Sequence, residues 1–330
     1  MSNKTSPDKI IVHAAGGCGI SVADKVMTRI AALGDGYAEI IFKYIDTTKN
    51  NIDHIQPKGE FWQITQKNAD GSAVDGSGGE RSAQAGNIDK SIKEYLDHNK
   101  IYKQVTGEYH MVISSLSGGS GSVIGATLTR ELLKRDIPVL PVLVGDTSNA
   151  LGAINTVDGF KTLDNISRML NKPVVTYYVN NHKLGSTVSA NRNQANEILF
   201  RDLSVVSVFL SGMNDSLDYS DMVSMIYPAY YKKVKVEPGV YGLQVFDKEP
   251  PKQPGPDEPV PPGQAQPAGP DLRRYGYLRQ QRLYLLHPRD LHLEVVLHHR
   301  PGEAQERGDL RREPLHPALS GLPRGHFLGR

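Results

Sequence analysis

Residues 137–144, IPVLPVLV, carry no charged or hydrogen-bonding side chain. A strand that is apolar on both faces must be covered on both faces, which is the habit of parallel sheets flanked by helices. The chain around this run repeats the theme. Residues 10–15, 39–45, 61–65 and 173–179 read as further strands, and Tyr109, Met111, Val112 and Ile113 mark another. Between them lie helical patterns. Val22, Val26 and Ile30 share one face of a helix over residues 21–33. A helix starts near Ile88, and Ala126, Leu128, Leu132 and Leu133 line another. Residues 156–170 are helical too. Strand and helix in alternation predict βαβ units, so the expected fold class is α/β with a mostly parallel, Rossmann-like sheet. A long helix follows over residues 188–210. Its C-terminal half is apolar, as a buried central helix requires.

Beyond about residue 248 the vocabulary changes. KEPPKQPGPDEPVPPGQAQPAGPD is Pro-rich and of low complexity, as extended linkers are. From residue 251 onward there is no Ile, Asn, Thr, Met, Cys or Trp, and Lys occurs once. Residues 249–330 are therefore expected to be a disordered basic tail or a frame-shifted segment. Their six scattered histidines have no metal-ligand spacing.

A net charge of +2 excludes a global basic field for nucleic acid. The lone Cys18 rules out an internal disulfide and fits a reducing cytoplasm. The start MSNKTSPDK lacks the apolar region of a signal peptide, and no apolar run reaches the ~20 residues of a membrane span. A cytoplasmic location without a membrane partner is expected.

Two strand-to-helix junctions are rich in glycine. Gly16, Gly17, Cys18 and Gly19 follow the first strand; Gly118, Gly119, Ser120, Gly121 and Ser122 follow the one at 109–113. Such a bend gathers backbone N–H groups at a helix N-terminus, whose partial positive charge attracts an anion. A tight structural turn is the other reading of either bend alone; two in one sheet favour a nucleotide. The Walker loop needs a Gly-Lys-Ser/Thr that neither bend has. The dinucleotide fingerprint needs a third glycine where the first bend reaches Val22.

SGGSGS, residues 117–122, resembles the signature loop of the tubulin/FtsZ superfamily, with Ser117 in the place of its usual first glycine. The remaining pieces follow in that family's order. AAGGCGISVADKV resembles its first phosphate loop, IDTTKNNID its second, and DGSGGERSAQAGN the third, which senses the γ-phosphate. VGDTSNALGAINTVDGFKTLDNI resembles the ribose loop, QANEILF the guanine-contacting part of the central helix, and SLDYSDMV the loop that supplies catalytic carboxylates. SLSGGSGSVIG and KTLDNISRMLNKPVVTYYVNN are most like the phage tubulins of the PhuZ kind. The resemblance covers about residues 9–247.

Carried over residue by residue, the resemblance implies GTP or GDP held by Gly16, Gly17, Cys18 and Gly19 on one side and by Gly118, Gly119, Ser120, Gly121 and Ser122 on the other. Asp46 and Thr47 meet phosphate and Mg²⁺, with Asp46 as the metal residue. Gly78, Gly79 and Arg81 meet the γ-phosphate, and Asp146 and Asn149 lie in the ribose loop. Asn196 reads guanine, because an amide offers both a donor and an acceptor. Where the family stacks an aromatic on the base, this chain offers Arg192 and Asn193. Asp218 and Asp221 are the catalytic acids, acting on the nucleotide of the next subunit in a head-to-tail filament. Each has a plainer reading: Asp46 as a turn at a strand end, Asn196 as the polar face of a helix, Asp218 and Asp221 as helix capping.

The resemblance divides the chain into a GTP-binding domain (1–187), a central helix and catalytic loop (188–217), the start of a C-terminal domain (218–248) and the tail (249–330), so the second domain is truncated or altered. The implied function is that of a polymerising GTPase whose filaments position phage DNA in the host cytoplasm, with DNA or capsid cargo engaged only indirectly and no direct nucleic-acid site. Three alternatives stand beside it: a plasmid-segregation or cell-division GTPase of the same superfamily, a GTP-binding protein that does not polymerise, and an NAD(P)-dependent oxidoreductase.

Overall fold

A computed structural model describes residues 7–67, 73–74, 85–212, 219–228, 236–246, 279–286 and 292–299. Its centre is a sheet of seven parallel strands. They are β1 (Lys9–Ala15), β2 (Glu39–Asp46), β3 (Glu60–Gln63), β6 (Glu108–Ser115), β7 (Val139–Gly145), β8 (Val174–Asn180) and β9 (Val240–Phe246). A separate two-stranded ladder pairs β4 (Gln66–Lys67) with β5 (Ala73–Val74). Two strands within the segment expected to be a tail extend the main sheet antiparallel to β9: β11 (His292–His299) pairs with β9, and β10 (Arg279–Leu286) with β11.

The parallel strands run in the order β3-β2-β1-β6-β7-β8-β9. The chain thus winds outward from β1 in one direction, then returns and winds outward from β6 in the other. The strand order reverses between β1 and β6, and in open α/β sheets the crevice for a ligand opens at such a point, beyond the carboxyl ends of the strands. β7 is buried along its whole length, as its composition demands.

The helices are α1 (Gly16–Val22), continued through a π-helical turn (Ala23–Met27) into α2 (Thr28–Ala31), then α3 (Ala85–His98), α4 (Ser120–Lys134), α5 (Ala150–Leu170), α6 (Val188–Leu210) and α7 (Tyr219–Ile226). Crossovers of one hand that wind in opposite directions put their helices on opposite faces of a sheet. By this rule α3, α4 and α5 pack side by side; α6, in the longer connection from β8 to β9, instead packs on α2 and the π-helical turn. Arg29 ties α2 to α6 through both guanidinium ends on Glu197 (2.7 and 3.2 Å) and lies 3.8 Å over the Phe200 ring. Ala195, Leu199, Leu203, Val206, Phe209 and Leu210 bury the apolar face of α6.

The helix expected from residue 21 begins at Gly16, and the one expected from residue 156 begins at Ala150. In the first case the glycines of the bend form the first turn. In the second, Asn149 caps the helix by accepting a hydrogen bond from the Gly152 amide.

Polar residues also enter the core. His13 on β1 and His110 on β6 stack with rings 5.2 Å apart, and His13 Nε2 meets His110 Nδ1 at 2.9 Å. His13 Nδ1 meets the Tyr95 hydroxyl of α3 at 2.6 Å. Burial holds both imidazoles below their ordinary range, His110 at about 4, and the neighbouring His110 and Lys43 charges push His13 in the same direction.

Candidate functional site

The two glycine bends leave the carboxyl ends of β1 and β6, the adjacent strands between which the sheet order reverses. They touch backbone to backbone. Gly16 has φ +69°, and a Cβ there would stand 2.6 Å from the Gly121 Cα. A Cβ on Gly19 would stand 2.3 Å from the Ile113 carbonyl oxygen. No side chain larger than hydrogen fits these places, so the glycines bring two helix N-termini into contact. Neither Ala15 nor Gly119, the cap positions of α1 and α4, offers a side-chain cap. The first-turn N–H groups of a helix have no acceptor within the helix. Two such ends meeting beyond the sheet edge form an anion-binding surface.

The second bend is held from three sides. The Ser115 hydroxyl accepts from the Ser117 and Gly118 amides (3.1 and 3.2 Å). The Ser122 hydroxyl donates to the Gly118 carbonyl (2.6 Å), and Asn155 Nδ2 of α5 donates to the Ser117 carbonyl (3.1 Å). This leaves Ser120 at the opening, where its hydroxyl pairs with Thr47 Oγ1 at 2.8 Å.

That pair links the second predicted loop to the site. Asp46 ends β2 and is buried; its Oδ1 accepts from the Thr47 amide at 2.7 Å and its Oδ2 from Asn51 Nδ2 at 2.8 Å. Burial raises the Asp46 carboxyl above its ordinary range, and these amide hydrogen bonds work in the opposite direction. Asn51 also packs against the first bend, with its side-chain amide 2.7 Å from where a Gly17 Cβ would stand. Asn51 had no distinguishing signal in KNNID, because its role depends on contact with Asp46 and Gly17 together. Among the described residues no three His, Cys, Asp or Glu side chains converge on a metal position. One carboxylate beside two hydroxyls suits Mg²⁺, which keeps water and phosphate oxygens among its ligands.

Cys18 sits in the first bend. Burial pushes its thiol up to about 11, against the opposing charge of Arg192. A raised thiol pKa disfavours the reactive thiolate, in keeping with Cys18 as a small residue of the loop. Arg192, in the first turns of α6, lies one helical turn before half-buried Asn196.

At the β7–α5 loop, Asp146 Oδ1 accepts from the Ser148 amide (2.8 Å), and Asn149 Oδ1 is engaged as the α5 cap. Thr147 Oγ1 bridges Asn180 Nδ2 and His182 Nδ1, each at 3.0 Å. The Tyr178 hydroxyl and the Asn180 and Asn181 Oδ1 atoms are buried without a hydrogen-bond partner among the described residues. These acceptors at the end of β8 escaped the sequence reasoning, although consecutive asparagines at the end of a strand were a signal.

Gly16, Gly17, Cys18, Gly19, Asp46, Thr47, Gly118, Gly119, Ser120, Gly121, Ser122, Asp146 and Asn149 thus lie along one sheet edge. Gly78, Gly79, Arg81 and Asp218 lie outside the described residues. Asp221 is in the first turn of α7. That turn is fastened to the opposite end of β6, because the Tyr219 hydroxyl bonds Gln104 and Val105 just ahead of the strand. Eight residues of strand separate the two ends, roughly 26 Å. Asp221 therefore cannot reach the glycine bends of its own chain.

No protein-family model matches the chain. It is 28% identical over 193 residues to the phage tubulin-like protein of Pseudomonas phage 201phi2-1, covering 58% of this chain and 54% of that one. It is 25% identical over 237 residues to the phage tubulin-like protein of Pseudomonas phage phiKZ, covering 69% and 66%. The chain therefore spans between half and two thirds of the length of these curated relatives. Among solved structures, the phage tubulin PhuZ with GDP aligns with a TM-score of 0.59 at 20% identity, over 88% of this chain and 85% of that one. An FtsZ of M. jannaschii aligns with a TM-score of 0.55 at 16% identity, over 74% and 67%.

Proposed function

We propose, from the tubulin/FtsZ fold of this chain and its similarity to phage tubulin-like proteins, that it binds and hydrolyses GTP and assembles head to tail into filaments. The observation that carries the reading is the contact between Gly16 and Gly121, which joins two uncapped helix N-termini where the strand order reverses.

The diphosphate lies against the amides of 16–19 and 119–122, where backbone N–H groups and helix dipoles are already oriented. Gly78, Gly79 and Arg81 receive the γ-phosphate. Asp46, with the Thr47 and Ser120 hydroxyls beside it, would hold Mg²⁺, which would offset phosphate charge. Asp146 and Asn149 border the ribose. Asn196 reads guanine, because its amide offers both a donor and an acceptor to the base.

The catalytic carboxylates are Asp221 and Asp218, and the helix turn that carries Asp221 is fastened at the far end of β6. In a head-to-tail filament that end meets the nucleotide edge of the next subunit, where a carboxylate orients the attacking water. Hydrolysis is then a property of the polymer. The further role, filaments that position phage DNA in the host cytoplasm through cargo held away from the nucleotide, rests on the phage tubulin resemblance. The divisions at 187, 217 and 248 follow the same reading, as does the absence of a membrane partner; no helix among the described residues is long and apolar enough to cross a membrane.

Three measurements on the full chain test the proposal: calorimetric titration with GTP and ATP, pelleting after GTP addition, and phosphate release per subunit against protein concentration. Expected are selective GTP binding, a pellet, and turnover that rises with concentration. Equal affinity for ATP removes the base reading, and turnover independent of concentration removes the shared site.

A further inference from the structure

A carboxylate that acts on another molecule's nucleotide has to be held firmly by its own subunit. The helix that carries Asp221 has only eight residues. Helices this short do not hold their first turn unaided, because nucleation is costly and ends fray. In this chain the first turn is fastened by Tyr219, two positions before Asp221. The Tyr219 hydroxyl accepts a hydrogen bond from Gln104 Nε2 at 2.6 Å and donates one to the Val105 carbonyl at 3.2 Å. Its ring lies 5.4 Å from that of Tyr109, with the planes at 42°.

The base of this clamp is itself fixed. Tyr109 is fully buried in β6. Gly107, just ahead of the strand, has φ +83° and gives its carbonyl to the Lys9 amide at 2.7 Å. The Glu108 amide donates to the Val105 carbonyl at 3.1 Å, closing the turn that Tyr219 grips. The other end of the same strand runs into the glycine bend at 118–122. β6 is therefore a rod with a phosphate loop at one end and the clamp of the acidic helix at the other.

We propose that Tyr219, with Gln104 as its hydrogen-bond partner, is a positioning residue for hydrolysis: it fixes the first turn of α7 on the amino end of β6 so that Asp221 meets the neighbouring subunit's nucleotide in register. The inference rests on the reading that Asp221 acts across the subunit contact. Misplacing a reacting group by about 1 Å costs up to roughly 10²-fold in rate. Loss of the two hydroxyl bonds, with the ring stack kept, costs part of that.

The test compares Tyr219→Phe, Gln104→Met and Asp221→Ala in the full chain. Tyr219→Phe keeps the ring and removes both hydrogen bonds; Gln104→Met keeps the length and removes the donor. Phosphate release is expressed per polymerised subunit at saturating GTP. Expected for both clamp variants is a kcat about tenfold lower, with KM, GTP affinity of the unassembled subunit and pelleted mass unchanged. The double variant is expected to be no slower than the slower single one, because both changes remove one element. Normal kcat per polymerised subunit in both clamp variants, with Asp221→Ala inactive, overturns the clamp and leaves the shared site standing. A lowered melting temperature and less polymer, with normal kcat in the polymer that forms, equally overturns it, because that is a purely structural role. Normal turnover of Asp221→Ala removes the underlying reading, and the clamp with it. If Tyr219→Phe does not fold, Gln104→Met decides alone.

Discussion

Lowering the pH from 7 to 5 is expected to destabilise the nucleotide-free chain through its buried histidines. His110 is buried against His13, and burial holds it at about 4 instead of 6.5. The folded protein thus keeps His110 neutral at pH 5, while the unfolded chain protonates it. The unfolded state binds more protons, so stability rises with pH. The contribution is fully present above 6.5 and is lost as the pH falls from 6.5 towards 4. A shift from 6.5 to about 4 makes the unfolded chain gain about 2 kcal/mol over the folded one between pH 7 and pH 5. His13 adds in the same direction, since burial and the adjacent His110 and Lys43 also hold it low. Most carboxylates titrate below this window, and the raised Asp46 carboxyl works in the opposite sense. The assay is urea unfolding at both pH values for wild type and His110→Gln, with the imidazole C2–H resonances followed by NMR. Wild type should lose about 2 kcal/mol more than the variant does, and the His110 imidazole should not titrate above pH 5. Equal pH dependence in the two proteins, or a buried imidazole that titrates near 6.5, refutes the reasoning.

Asp221→Ala should leave GTP affinity of the isolated subunit intact and lower polymer turnover by roughly 10²-fold, measured by phosphate release. If the side chain only stabilises the helix start, stability falls by about 1 kcal/mol and turnover per folded subunit stays normal. Gly16→Ala forces a side chain into a left-handed φ and against Gly121. It should cost more than the ~1–2 kcal/mol of the left-handed φ alone in unfolding experiments and abolish nucleotide binding by calorimetry. Asn196→Ala should reduce the preference for GTP over ATP by about 1–2 kcal/mol, roughly tenfold; unchanged selectivity relieves Asn196 of base reading.

The sequence alone determined the class of the fold, because its signals act over a few residues. A run such as IPVLPVLV can be covered only from both sides, and apolar spacing set α6 at residues 188–210, where the structure has it. The glycines marked both bends, since their lack of a side chain is visible at any distance. The same glycines hid the true start of α1, because a glycine-rich stretch reads as a loop until something packs against it. Tertiary structure decided which bends meet. Strand order places β1 beside β6, and no local pattern encodes which of several strands become neighbours. The same limit hid Asn51, which matters because Asp46 and Gly17 both touch it, and Asn180 with Asn181, whose carbonyl oxygens are conspicuous only once buried without a partner. It hid the His13–His110–Tyr95 chain and the grip of Gln104 on Tyr219, contacts that span between 82 and 115 positions. Propensity and periodicity arise from neighbours along the backbone. A hydrogen bond across a hundred residues exists only after the sheet has assembled, so its chemistry becomes legible only there.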